Sequence, residues 1–196
     1  ADLPADILPR TLISRDEEEL RSFVDALDGP AVLKPLHGFG GAGVFRVVDG
    51  REPNLSSIID TLRGLGFVVA QEFVEQADSG DVRALLWDGR LLSLGDGLHS
   101  AYRRVHPARD FRNNMHVGGQ REAHQLNARE LALPDRLGAR LRQDGVLLAG
   151  VDLVGEKLLE VNVYAPGGIH NINELYDTNI ARMIVEELEA KGGETA

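Results

Sequence analysis

Three oxygen-bearing side chains near the end of the chain have the spacing of a metal site. Asp152, Glu160 and Asn162 interrupt two short apolar runs, which are separated by Gly155-Glu156. A turn at that step predicts a hairpin. Strand alternation then places Glu160 and Asn162 on one face, with Asp152 opposite Glu160 or one pair away. Carboxylate and amide oxygens are ligands that Mg²⁺ takes in proteins. The alternative is a hairpin with one solvent-facing edge.

A glycine-rich segment earlier in the chain has the features of a phosphate-binding loop. Residues 37–43 include four glycines, which permit positive φ and allow consecutive amides to form an anion-binding nest. Lys34, three residues before this loop, can place an ammonium on a phosphate oxygen. The loop is not a Walker A loop, because GK[ST] is absent and it leads into a predicted strand. The alternative is a flexible hairpin loop, with Lys34 as a charge that protects a strand edge.

Arginines are concentrated in the middle of the chain. Guanidinium groups bind carboxylate and phosphate oxygens through paired hydrogen bonds, so this concentration predicts a site for an anionic small molecule. Solvated loop charge is the alternative for any one of them. Arg83 is the strongest candidate because it lies inside a predicted strand, just after Asp81. The arginines are Arg83, Arg103, Arg104, Arg109, Arg112 and Arg121.

The composition excludes several other chemistries. The 196 residues carry a net charge of −10, which disfavours a general nucleic-acid partner. The sequence has no cysteine, so disulfides, cysteine zinc sites and a thiolate nucleophile are excluded. The histidines lack zinc-site spacing, and no GxSxG elbow is present. No apolar run reaches the roughly 18 residues of a membrane span, and no signal peptide is apparent. These features predict a cytoplasmic protein without a membrane or nucleic-acid partner.

The elements that position these residues are mostly hairpins and short helices. A capping pattern at Ser14 predicts a first helix, followed by strands on both sides of the glycine-rich loop. Asp88-Gly89 predicts a second hairpin. Further helices are predicted at 55–65, 128–143 and 179–190. Repeated hairpins favour mainly antiparallel sheets with helices, an α+β fold. The natural division near 75–80 gives two lobes, about 1–75 and 76–196.

The motifs, taken in order, resemble those of the ATP-grasp superfamily, and in particular the ATP-binding domain of bacterial-type glutathione synthetases. The segment from Lys34 to Arg46 resembles that family's pattern KPLxGxGGxxxFR. The other matching segments are Thr11-Leu12-Ile13, Gln71-Glu72-Phe73-Val74, Gly80-Asp81-Val82-Arg83, Arg104, Arg112-Asn113-Asn114, Gly118-Gly119, Gly150-Val151-Asp152 and Glu160-Val161-Asn162-Val163. The resemblance covers essentially the whole chain. It implies an ATP-grasp fold of two lobes, with the ATP site in the cleft between them.

The resemblance also implies a role for each motif. Lys34 would contact the ATP phosphates, the glycine-rich loop would close over them, and the backbone of residues 72–74 would hold adenine. The implied nucleotide-binding set is Lys34, Gly38, Gly40, Gly41, Ala42, Gly43, Gln71, Glu72, Phe73, Val74 and Asp81. The implied metal ligands are Asp152, Glu160 and Asn162. The implied catalytic set is Arg83, Arg104 and Arg112, which would hold phosphate or the acyl substrate, with Asn114, Gly118 and Gly119 lining the reaction centre.

The activity implied by the resemblance is that of a carboxylate–amine ligase, which uses ATP with Mg²⁺ (or Mn²⁺) and acts through an acyl phosphate. Its partners would be a small-molecule carboxylate and a small-molecule amine, and a homo-oligomer is compatible with the family. The family's preceding substrate-binding domain, with an upstream ATP-contacting lysine, is expected to lie outside this sequence. Tyr164-Ala165-Pro166-Gly167-Gly168 stands where the family tends to carry Thr-Ser-Pro-Thr-Cys. A ligase for another substrate and a catalytically silent nucleotide-binding module are the open alternatives.

Overall fold

The structure, a computed structural model, describes residues 3, 5–38, 42–105 and 120–193. The chain divides into two compact units. The first extends to Ser79, and the second covers Gly80–Val105 and continues from Arg121. Antiparallel strand pairs and helices are present in both units, so the chain is α+β, as the hairpin pattern predicts.

The first unit is a four-stranded sheet with two helices. Its elements are β1 (Thr11–Ser14), α1 (Glu17–Asp25), β2 (Ala31–Pro35), β3 (Phe45–Val47), α2 (Leu55–Arg63) and β4 (Val68–Glu72), with 3₁₀ turns at Ala5–Ile7 and Glu75–Ser79. The strand order is β1-β4-β2-β3, and every neighbouring pair is antiparallel. Apolar residues of the two helices form one core with alternate strand residues, among them Leu20, Ile59, Leu33, Val47 and Ala70.

The start of the first helix differs from the prediction. Ser14 was expected to cap the helix, but it is the last residue of β1, and α1 begins at Glu17. The N-cap is Asp16, whose side chain accepts a hydrogen bond from the Glu19 amide at 2.9 Å. The chain is still extended at Ser14, so its hydroxyl instead accepts from the Asp16 amide at 3.0 Å and donates to Glu19 at 2.6 Å.

The second unit is built on one larger sheet. Its elements are β5 (Asp81–Trp87), β6 (Arg90–Leu91), β7 (Ser93–Gly95), β8 (Leu98–His99), β9 (Ala101–Val105), β10 (Gln120–Ala123), α3 (Ala128–Gln143), β11 (Leu148–Val154), β12 (Lys157–Asn162), α4 (Ile169–Tyr176) and α5 (Ile180–Gly193). The strand order is β10-β9-β5-β11-β12, with β6 paired to β5 and a separate β7-β8 pair. The β5–β9, β5–β11 and β11–β12 pairs are antiparallel.

Helix α4 was not predicted, because tertiary contacts hold this short element. The Tyr176 hydroxyl donates to the Ala101 carbonyl at 2.6 Å, and Asn171 donates to the Tyr102 hydroxyl at 2.9 Å. Both bonds tie the helix to β9. In the described part of the chain, no helix is long and apolar enough to cross a bilayer.

Candidate active site

Lys34 lies on the face of the first sheet that is turned away from the helices. Its strand neighbours Ala31 and Leu33 belong to the core, so alternation directs Lys34 to the other face. The Lys34 ammonium donates to the Gln71 side-chain oxygen at 3.4 Å, and the Gln71 amide donates to the Thr11 hydroxyl at 3.0 Å. Two residues that the sequence assigned to the nucleotide site, Lys34 and Gln71, are therefore in contact.

Part of the glycine-rich loop is described. Gly43 has a φ of +69°, which favours glycine. A Cβ on Gly38 would lie 3.0 Å from the Pro35 ring, closer than a side chain normally packs. Ala42 is described as an exposed turn residue. Gly40 and Gly41 lie outside the described residues.

The predicted adenine-binding segment follows directly from β4. The amide of Glu72 donates to the Arg10 carbonyl at 2.9 Å, and the amide of Phe73 donates to the Pro30 carbonyl at 2.8 Å. The Val74 carbonyl accepts from the Ala77 amide at 2.8 Å. Two of the three amides in this predicted adenine-binding segment are thus already used within the chain, whereas the Val74 amide has no acceptor among the described residues.

The second unit carries a row of polar side chains across four adjacent strands. Tyr102 of β9 pairs with Arg83 of β5, Arg83 with Asp152 of β11, and Asp152 with Glu160 of β12. Directly paired residues point to the same face of a sheet, so these four side chains share one face. Arg83, assigned from the sequence to substrate binding, and Asp152, assigned to metal binding, are neighbours in this row.

An irregularity in the β11–β12 pairing brings Glu160 into the row. Near the turn the pairs are Val154 with Lys157 and Leu153 with Leu158, but the register then shifts and Asp152 pairs with Glu160. Without that shift, Glu160 would pair with Val151 and point to the opposite face, since side chains alternate along a strand. The two carboxylates therefore converge because β12 carries one extra residue at this point.

Asp152 is the centre of a buried ion-pair network. Arg83 donates to both carboxylate oxygens of Asp152, one of them at 2.9 Å, and Arg104 lies 3.0 Å from one of those oxygens. Arg104 also donates to both oxygens of Asp81, one of them at 2.8 Å. None of the four side chains is more than 14% exposed. Two cations thus balance two anions inside the unit.

The network shifts the pKa of each member. Burial alone raises the pKa of the Asp152 carboxyl, but the charge of Arg104 and the hydrogen bonds from Arg83 outweigh it, so this pKa lies below its ordinary value. Burial raises the pKa of Asp81 above its usual range, and the pairing with Arg104 opposes this only in part. Burial lowers the pKa of Arg83 and Arg104, but Asp152 outweighs it and raises both. Asp152 and both arginines are therefore held in their charged forms.

The residues assigned to magnesium suit a hard divalent cation. Glu160 is exposed, and Asn162 lies two residues further along the same face of β12, opposite Gly150. The Asn162 side-chain nitrogen is buried and has no hydrogen-bond partner within the described residues. Two carboxylates and an amide at one sheet edge provide the oxygen donors that Mg²⁺ binds. In the described part of the chain, no three His, Cys, Asp or Glu side chains cluster as a metal site, so a site here would need Asn162.

Arg83 also holds the loop that follows β12, the strand that carries Glu160 and Asn162. Its guanidinium donates to the Gly167 carbonyl at 2.9 Å, and Gly168, the N-cap of α4, has a φ of +121°. A Cβ on Gly150 would lie 3.2 Å from the Arg83 guanidinium and 3.1 Å from Pro166. The sequence did not single out Gly150 or Gly168 as site residues, and the signal that could have identified them is their spacing from Asp152 and Pro166. Tyr164, in the same loop, is fully exposed.

Four residues of the predicted catalytic set lie outside the described residues: Arg112, Asn114, Gly118 and Gly119. The structure thus brings together Arg83, Arg104, Asp81 and Asp152, with Glu160 and Asn162 beside them. The first unit separately brings together Lys34 and Gln71, next to the described ends of the glycine-rich loop.

Comparison with known proteins gives three findings. The sequence profile of the prokaryotic glutathione synthetase ATP-grasp domain matches residues 2–177. The glutathione synthetases of Brucella melitensis and Agrobacterium fabrum are each 37% identical, over 188 and 191 residues, with 95% of this chain covered in both cases. The solved structure of the ATP-grasp ligase PsnB, complexed with a phosphomimetic variant of minimal precursor, Mg and ADP, has a TM-score of 0.66 at 21% identity. The match covers 96% of this chain and 54% of the PsnB chain.

The alignments cover 57% and 56% of the two synthetases, so the chain spans a little more than half the length of these relatives. At 21% identity the likeness to PsnB is one of fold alone.

Proposed function

The chain belongs to the ATP-grasp domain family of prokaryotic glutathione synthetases, and from that premise we propose that it is the ATP-binding part of a carboxylate–amine ligase. ATP-grasp ligases use ATP. The proposed reaction transfers the γ-phosphoryl group to the carboxylate of one substrate. The amine of a second substrate then attacks the acyl carbon, forms the C–N bond and releases phosphate. Such a reaction needs no protein nucleophile, in keeping with a chain that has no cysteine.

One observation carries this proposal: Asp152 and Glu160 lie directly opposite each other on neighbouring strands. Like charges in that position repel and destabilise the sheet. Arg83 and Arg104 compensate Asp152, whereas Glu160 has no ion pair with any described residue. A divalent cation at Glu160, Asp152 and Asn162 would balance the remaining charge. When bound, Mg²⁺ would neutralise phosphate oxygens as charge develops on them.

The chain's own residues would do the remaining work in each unit. In the first unit, Lys34 would bind a phosphate oxygen, with Gln71 orienting its ammonium, and the amide of Val74 would bind the adenine base. In the second unit, Arg83 and Arg104 would fix Asp152 in its ionised form. Each of these groups acts by positioning or by charge, the two contributions on which phosphoryl transfer depends.

The test uses a variant that removes the exposed carboxylate without disturbing the buried network. The full-length protein is titrated with a non-hydrolysable ATP analogue, with and without Mg²⁺, and is then assayed for phosphate release with a panel of amino acids and dipeptides. Glu160→Gln should lose the Mg²⁺-dependent part of the binding and most of the turnover. Glu156→Gln is the matched control: Glu156 lies in the turn of the same hairpin, and its side chain is 63% exposed and paired with Arg129.

The outcomes separate the candidate functions. Mg²⁺-dependent binding with turnover supports the ligase. Binding without turnover on any amine supports a silent nucleotide-binding module instead. Equal behaviour of Glu160→Gln and Glu156→Gln would remove Glu160 from the metal site.

A second candidate, a ligase for an amine other than that of the glutathione synthetases, is favoured by Tyr164. This side chain is fully exposed two residues beyond Asn162, in the segment that departs from the family pattern. A large aromatic there would contact a bulkier or more apolar amine. If so, Tyr164→Thr should shift the preference within the amine panel towards smaller amines, and an unchanged preference would argue against this candidate.

A further inference from the structure

Arg46 is a member of the glycine-loop motif to which no role has been given. Its neighbours in β3, Phe45 and Val47, pack into the core of the first unit, so alternation places Arg46 on the face without helices. The carbon at the centre of its guanidinium lies 3.8 Å from the centre of the Phe73 ring. Arg46 also forms a 3.1 Å ion pair with Asp78. Arg46 thus contacts both an aromatic ring and a carboxylate.

Both partners of Arg46 belong to the segment that begins with the predicted base-binding residues. Phe73 directly follows β4, and Asp78 lies in the 3₁₀ turn Glu75–Ser79. Val74 lies between them, with its carbonyl used by the Ala77 amide at the start of that turn. One side chain of β3, the strand after the glycine-rich loop, therefore touches both ends of the segment 73–78.

The ring contact is the stronger half of this arrangement. An exposed ion pair contributes little to stability, and the Asp78 side chain is 58% exposed. The other arginine–ring contacts in the described residues, Arg10 with Phe23 and Arg15 with Phe67, are each 6.0 Å long, at the outer limit of a cation–π interaction. At 3.8 Å the planar guanidinium of Arg46 can lie flat on the ring, which an ammonium cannot reproduce.

We propose that Arg46 is a positioning residue for the nucleotide base: by stacking on Phe73 and pairing with Asp78, it sets the path of the backbone at Val74. The inference rests on the proposed function, because it assigns the base to this segment. It goes further in predicting that base affinity depends on a side chain of β3, which is separated from β4 by β2 in the sheet and acts through Phe73. Phosphate binding, which we assign to Lys34, should not depend on it.

The test compares a ligand that has a base with one that has none. Dissociation constants of the full-length protein are measured for a non-hydrolysable ATP analogue and for inorganic tripolyphosphate, both with Mg²⁺. Arg46→Gln should weaken the ATP analogue about fivefold, the ratio that about 1 kcal/mol gives, and leave tripolyphosphate within about twofold. Arg46→Lys, which keeps the charge but not the planar face, should fall between wild type and Arg46→Gln.

Arg21→Gln is the matched control. Arg21 lies in α1 of the same unit, its side chain is 36% exposed against 34% for Arg46, and it is also ion-paired, with Glu17. This variant should bind both ligands as the wild type does. A second arm places Arg46→Gln in a Phe73→Leu background, where it should have no further effect on the ATP analogue because the ring through which it acts is gone.

Three results would overturn the inference: unchanged affinity of Arg46→Gln for the ATP analogue, an equal loss for both ligands, or a full additional loss in the Phe73→Leu background. An equal loss would mean that Arg46 supports the unit as a whole. Failure of the wild type to bind the ATP analogue is a different result, since it refutes the proposed function and appears without any substitution.

Discussion

Removing one cation from the buried network of the second unit should destabilise that unit strongly. Arg104→Gln leaves Asp81 and Asp152 with Arg83 as their remaining cationic partner in the network. The Asp81 and Asp152 side chains are 9% and 7% exposed, so water cannot replace the lost charge. The perturbation thus converts a neutral buried set into one with a net negative charge.

The size of the effect follows from this burial. Breaking a buried pair by removing one partner costs about 3–5 kcal/mol. Arg104 is the most exposed member of the network, at 14%, so we take the lower end, about 3 kcal/mol. With a urea dependence of about 2 kcal/mol per molar, the unfolding midpoint should fall by about 1.5 M.

Trp87 provides the assay. It is the one tryptophan of the sequence, and it is buried at the end of β5, the strand that also carries Asp81 and Arg83. Its fluorescence therefore reports unfolding of the second unit, measured in urea without nucleotide or Mg²⁺. Arg182→Gln is the control, because that side chain is 76% exposed on α5 and pairs with Glu186 at the surface. Its midpoint should equal that of the wild type.

A double variant tests whether lost charge balance causes the destabilisation of Arg104→Gln. Adding Asp81→Asn to Arg104→Gln restores neutrality and leaves the Arg83–Asp152 pair in place. The double variant should be more stable than Arg104→Gln alone. If it is less stable, the lost packing of Arg104 rather than its charge determines the stability. If Arg104→Gln lowers the midpoint by less than about 0.3 M, Arg104 contributes little to stability and the charge argument is refuted.

Three further predictions concern other positions. Gly80→Ala should destabilise the second unit by at least about 2 kcal/mol in the same urea titration, because φ is +107° and an added Cβ would overlap the Arg104 carbonyl oxygen. Asn127→Ala should cost about 1 kcal/mol, measured by circular dichroism, since Asn127 and Glu130 form a capping box at α3. The stability gap between wild type and Asp152→Asn should be widest near neutral pH and narrow below 3.8. The native-state pKa of Asp152 is lowered, so the stabilisation that its ionised carboxylate provides is lost as the pH falls through that pKa. Urea unfolding midpoints of both proteins at several pH values measure this gap.

The α+β, ATP-grasp fold could be predicted because local signals and ordered motifs agree along the chain. Helix α3 has the predicted bounds, 128–143, since its apolar spacing and its cap at Asn127 are both encoded locally. The β11–β12 hairpin was predicted for the same reason, with a turn at Gly155-Glu156 between alternating strands. The fold prediction is confirmed by the family match and by the structural likeness to an ATP-grasp ligase.

Other features depend on partners that are distant in the sequence. The second strand of the hairpin predicted at Asp88-Gly89 is short: β6 ends at Leu91, and β7 then pairs with β8 and not with β5. The contacts of Arg83 could not be predicted either. Its partners Asp152 and Gly167 are 69 and 84 residues away, and no local pattern shows that a guanidinium in β5 meets β11.

The register shift at Asp152 could not be predicted from strand alternation alone. Regular pairing from the turn would place Asp152 opposite Leu159 and turn Glu160 to the other face, where the two carboxylates could not act together. Alternation alone left Asp152 opposite Glu160 or one pair away, and a single extra residue in β12 decides between them. Bulges of this kind occur next to active sites, where they re-aim a side chain.

In this register the carboxylates of Asp152 and Glu160 differ in burial and in ion pairing. Asp152 receives hydrogen bonds from two arginines, so much of its charge is already used in holding β5, β9 and β11 together. Glu160, directly opposite, is exposed and makes no ion pair with a described residue, so its charge remains available to a cation. Replacing Asp152 should therefore be felt first as lost stability, and replacing Glu160 first as lost metal binding. Two residues that the sequence placed in one metal set thus have different surroundings, and Glu160→Gln is the variant that tests metal binding without disturbing the buried network.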